Sequence, residues 1–82
     1  MVKEIIQDRK QGMRIEFLLK QKALPMEVIA KKLGATRNRI AKVIWGERRD
    51  AVIREGIAML LGFNSWKALS IHLQDDKYWE AK

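Results

Sequence analysis

Residues 26–45 read MEVIAKKLGATRNRIAKVIW, and their spacing asks for two short helices with a tight turn between them. Proline suits the first turn of a helix but not its interior, so a helix begins at Pro25 and carries Met26, Ile29, Ala30 and Leu33 on one face. Gly34 ends it, because glycine accepts φ > 0 without a Cβ clash. Thr36 can cap the next helix, whose apolar positions Ile40, Val43 and Ile44 follow a 3.6-residue period and whose exit is marked by Gly46. About three residues around Gly34 therefore join the two helices, and the small Ala30 suits a close crossing between them.

The same signals extend in both directions. Asp8 is a cap candidate with Gln11 three residues on, followed by Met13, Ile15, Phe17, Leu18 and Leu19 in an amphipathic helix to about Lys22. Residues 2–6 are left unassigned. Asp50 can cap a helix bearing Val52, Ile53, Ile57, Leu60 and Leu61, with Gly62 as its stop. Gly56 inside that helix costs about 1 kcal/mol against alanine and suits a close helix approach. Asn64 or Ser65 then caps a last helix with Trp66, Leu69 and Leu73 on one face, and residues 75–82 either continue it or fray. Phe17, Phe63 and Trp66 fall on apolar-periodic positions and are expected in the core, and Trp45 is expected to pack at the end of its helix. No stretch alternates with period two for long enough to make a strand. The expected fold is all-α, a compact bundle of four to five short helices forming a single domain over residues 1–82, with its core at about 10–74 and the two-helix motif at 25–45.

Composition narrows the function. The chain has 82 residues, 48% hydrophobic and 33% charged, which suits one globular core and is too short for two. It has no cysteine, so neither a disulfide framework nor a thiolate zinc site is expected. The longest apolar run, residues 57–63, is far short of the roughly 20 residues that cross a bilayer. Glu4, Asp8 and Arg9 stand where a signal peptide would place its apolar stretch. A cytoplasmic protein without membrane contact is the expectation. One histidine, His72, and scattered carboxylates offer little for metal binding or nucleophilic chemistry. No enzyme activity, cofactor, metal or small-molecule ligand is expected.

Seventeen Lys and Arg against ten Asp and Glu give a net charge of +7, a field that favours polyanions. Residues 20–54 hold ten of the basic side chains and three acidic ones, so they carry the whole surplus. Two short helices joined by a glycine-containing turn have the geometry of a helix-turn-helix, in which the second helix enters the DNA major groove. On the side of that helix left free by core packing lie Arg37, Asn38, Arg39 and Lys42. Arginine can bind guanine O6 and N7, and asparagine adenine N6 and N7, so Arg37, Asn38 and Lys42 are expected base readers. Arg39 could read a base or clamp a phosphate. Thr36, Lys31, Lys32, Arg48 and Arg49 are expected phosphate contacts, which fix register and not sequence.

The segment 26–45 resembles the helix-turn-helix of the lambda-repressor-like DNA-binding superfamily, with Ile29, Ala30, Leu33, Gly34, Ile40 and Val43 at the family's core positions. Its continuation, residues 45–69 (WGERRDAVIREGIAMLLGFNSWKAL), is similar to the family's next helices, and small Ner-like phage regulators have a comparable arrangement. The resemblance spans about residues 10–74. It implies a bundle of four or five helices, transcriptional regulation without a cofactor, and a place for Arg48 and Arg49 where the family's loop follows the DNA backbone. A sequence-specific double-stranded DNA-binding regulator of phage or prophage derivation is therefore expected. An excisionase-type recombination accessory factor fits the same features, and a protein-interaction bundle with a basic face is the alternative from another class. A single copy would read about one half-site, so homodimerisation or cooperative adjacent binding is expected, through Leu73, Tyr78 and Trp79.

Overall fold

The computed structural model describes residues 8–80, so residues 2–6 lie outside the described residues. Helices start where a short polar side chain accepts a bond from an amide that would otherwise lack a partner. Asp8 accepts from Gln11 N at 3.0 Å and opens α1 (Arg9–Gln21). α2 (Met26–Leu33) begins behind Pro25 with no side-chain cap. Thr36 accepts from Arg39 N at 3.2 Å and opens α3 (Arg37–Ile44). Asp50 accepts from Ile53 N at 3.2 Å to begin α4 (Ala51–Leu60), and Ser65 from Ala68 N at 3.1 Å to begin α5 (Trp66–Leu73). A short α6 (Asp76–Glu80) follows. Gly34 takes φ +64° between α2 and α3, a left-handed conformation that alanine would adopt only with strain. The described residues thus form an all-α bundle, and the tail adds a helix beyond the four to five anticipated.

Five of the six helices among the described residues feed one core. Ile15 and Leu19, Ile29, then Ile40, Val43 and Ile44 meet Ile53, Ile57, Ala58, Leu61, Leu69 and Leu73, all essentially shielded from water. Burying each large aliphatic side chain favours folding by about 1.5–3 kcal/mol. Gly56 lets α2 approach α4, because a Cβ there would lie 2.5 Å from Leu33 Cδ2. No helix among the described residues is long and apolar enough to cross a membrane.

Burial departs from expectation at Phe17, Leu73 and Trp79. Phe17 is 40% exposed, because two residues beyond Ile15 it points away from the buried side of α1, where it makes an edge-to-face contact with Trp79 at a centroid distance of 5.6 Å. Met13, on the side of α1 opposite Ile15, and Val52 on α4 face water. Leu73 is buried in the chain's own core and is therefore closed to a partner. Trp79 likewise turns inward: its Nε1 donates to the His72 carbonyl at 2.9 Å, and its ring packs against the core. Arg14 ties this tail to α1, donating to the Leu73 carbonyl and to Asp76 Oδ1 while lying 5.4 Å from the Trp79 ring centroid.

The last carbonyls of α3 have partners drawn from two directions. Lys42 O accepts from Glu47 N and Arg48 N in the following loop. Ile44 O accepts from Gln11 Nε2 at 2.9 Å, Val43 O from the same amide at 3.4 Å, and Trp45 O from Asp8 N at 2.8 Å. The first turn of α1 thereby satisfies the C-terminal end of α3. Trp45 completes the grip, with its ring over Gly12 and its Nε1 donating to Glu16 Oε2 at 3.2 Å. A Cβ at Gly12 would sit 2.2 Å from Trp45 Cε3. Replacing Gly12 with alanine adds about 1 kcal/mol of helix propensity, but overpacking of this severity costs about 3 kcal/mol. Gly12→Ala should therefore lower stability by about 2 kcal/mol in chemical denaturation, with a shifted Trp45 emission; an unchanged midpoint would refute the contact.

Candidate nucleic-acid interface

A helix turns by about 100° per residue, so burial of Ile40, Val43 and Ile44 determines what α3 shows to solvent. Asn38 and Lys42 lie opposite that buried stripe, with Arg37 on one flank and Arg39 on the other. All four side chains are exposed, as is Thr36 at the cap. Lys31 and Lys32 are exposed on the last turn of α2, and Arg48 and Arg49 in the loop that leaves α3. The nine residues singled out in the sequence therefore occupy α3 and its N-cap, the end of α2 before it and the loop after it. The charge surplus is less uniform, since Arg54 is half-buried with its guanidinium 5.1 Å from the Trp66 ring centroid.

The two arginines of α3 are held by carboxylates on opposite sides. Arg37 Nη1 donates to Glu27 Oε1 of α2 at 3.2 Å, between side chains 65% and 70% exposed. Arg39 Nη2 donates to Asp50 Oδ2 at 2.6 Å, and the Asp50 side chain is only 12% exposed. Asp50 also accepts from Ile53 N, so one carboxylate caps α4 and anchors the first turn of α3. That backbone bond, and then the Arg39 guanidinium, hold its carboxyl below the ordinary value of 3.8. Alongside, a groove of about 690 Å³ runs between α1, the α1–α2 connection and α3, with Arg37 and Asn38 on one wall and Leu19, Leu24 and Ile44 among its apolar residues.

Glu27 and the pairing role of Asp50 were not anticipated from the sequence. A usable signal was present, because residues 20–54 contain only three acidic side chains, Glu27, Glu47 and Asp50, and two of them meet the arginines of α3. Gly12 was missed as well, although a glycine inside a helical pattern marks a close approach. Among the described residues no group of His, Cys, Asp and Glu is placed to hold a metal ion. No family model matches the chain, and neither a curated protein nor a solved structure does.

The carboxyl of Asp50 is easier to ionise in the folded chain than in the unfolded one, so its contribution exists above the unfolded value and disappears as pH falls through the lower folded value. Asn at this position keeps an oxygen for the cap and loses the ion pair. Asp50→Asn should therefore be less stable than the wild type at neutral pH and should approach it as pH is lowered below about 4. Denaturation midpoints of both proteins across pH 2–7 check this, and an offset that does not change with pH would exclude the ion pair as its source.

Proposed function

We propose that the chain is a sequence-specific double-stranded DNA-binding regulator of transcription that reads the major groove with α3. The observation that carries this reading is the exposed face of α3, where Asn38 and Lys42 stand opposite the buried stripe and Arg37 stands beside them, at the centre of the segment that holds the charge surplus. B-DNA admits a helix into its major groove, and these side-chain types match its donor and acceptor edges. The similarity of residues 26–45 to the lambda-repressor-like motif supports the same reading. A role as a small phage or prophage repressor, associated with the nucleoid, follows from that similarity.

In this reading Arg37, Asn38 and Lys42 contact base edges. Thr36, Lys31, Lys32, Arg48 and Arg49 contact phosphates. Arg39, committed to Asp50 through a short bond to a nearly buried carboxylate, supports the first turn of α3 and offers its remaining N–H groups to the backbone of the DNA. With Leu73 buried and Trp79 packed on the core, cooperative binding to adjacent half-sites would use surfaces other than Leu73.

Selection from a pool of random duplexes at two salt concentrations tests the proposal. An enriched site should emerge, and affinity for it should fall by roughly 10³ or more between 50 and 200 mM salt if six or more phosphates are neutralised. Arg37→Ala should weaken binding to that site by about 1–3 kcal/mol and relax preference at one base position. Failure of any duplex to enrich would defeat the proposal.

A further inference from the structure

The two carboxylates that hold the arginines of α3 differ in how firmly they do so. Asp50 is almost shielded, and its two oxygens serve Arg39 and the first turn of α4. Glu27 is 70% exposed and caps nothing, since α2 begins without a side-chain cap. Its bond to Arg37 is one exposed ion pair, weak enough for a ligand to displace yet enough to bias where the guanidinium rests. The pair still has a geometric effect. It occupies Arg37 Nη1 and draws the guanidinium toward α2, leaving the other donors of the planar fork for a second acceptor.

We infer that Glu27 is a specificity-determining residue, which positions Arg37 for bidentate contact with guanine and disfavours its use on phosphates. This rests on the DNA-reading role of α3 proposed above. A guanine edge presents two acceptors in a fixed plane, so it benefits from a guanidinium whose orientation is already restricted. Phosphates occur along every duplex and attract cations whatever their orientation. A carboxylate beside Arg37 lowers that indiscriminate attraction by neutralising the cation, while the restriction it imposes favours the directed contact. The two effects offset each other where a guanine meets Arg37, so Glu27 weakens binding chiefly to DNA that offers none.

Glu27→Gln separates these effects because it keeps the shape and removes the charge. Wild type, Glu27→Gln, Arg37→Ala and the double variant would be titrated with the enriched duplex and with a scrambled duplex of the same composition. Thermal melting of each would accompany the titrations. Glu27→Gln should bind the scrambled duplex about two- to fivefold more tightly, the range set by an exposed ion pair, and the enriched duplex no more tightly. Discrimination should fall by that factor. In the Arg37→Ala background the Glu27 change should act on both duplexes equally. Equal tightening on both duplexes with Arg37 present would overturn the inference, leaving Glu27 as a surface charge. A wild type that does not discriminate between the duplexes would overturn the DNA-reading proposal and this inference together, an outcome distinct from the first.

Discussion

The contact on which the arrangement of helices depends is the one between the start of α1 and the end of α3. Gly12 leaves room for the Trp45 ring, and Gln11 and Asp8 satisfy the carbonyls at the end of α3. Neither half would suffice alone. Without the ring, α1 would lose the apolar surface that sets its approach, and without the polar bonds the end of an eight-residue helix would leave carbonyls unpaired beside a hydrophobic core. An isolated helix of that length is unstable in water, so α3 owes its conformation to these tertiary contacts.

At its other end α3 is fixed by polar groups that the core does not supply. Thr36 caps the first turn, and Arg39 joins that turn to the Asp50 cap of α4. The result is a short helix anchored at both termini with one face buried and the opposite face free. Rigid support of this kind favours recognition, because little order has to be gained when a partner binds. The two ion pairs divide the labour: the shielded pair with Asp50 maintains the framework, and the exposed pair with Glu27 acts on a side chain that remains accessible.

Much of the framework is legible in the sequence. Asp8, Thr36, Asp50 and Ser65 are caps because short polar side chains have few other uses ahead of an apolar-periodic run, and Gly34, Gly46 and Gly62 take positive φ where those runs end. Local signals are written in local sequence. The failures concern contacts between distant segments. Phe17 and Met13 are four residues apart like Ile15 and Leu19, but they stand on the opposite side of α1, and only the resting place of α6 gives Phe17 a partner in Trp79. Tyr78 and Trp79 looked free because their segment is polar, whereas Arg14 and Asp76 pull it onto α1. The candidate interface was legible as a list of cations on one segment, and its carboxylate partners were not, because Glu27 lies ten residues from Arg37 and Asp50 eleven from Arg39.

We propose that α3 and the basic segments next to it in the chain meet DNA while the α5 and α6 side serves the fold. Amide chemical shifts of the isotopically labelled chain, followed during titration with an enriched duplex, test it most directly. The largest changes should fall on residues 36–42, on Lys31 and Lys32, and on Arg48 and Arg49, with α5 and α6 nearly unmoved. Changes centred on α5 and α6, or none at a duplex concentration that saturates binding, would contradict the account.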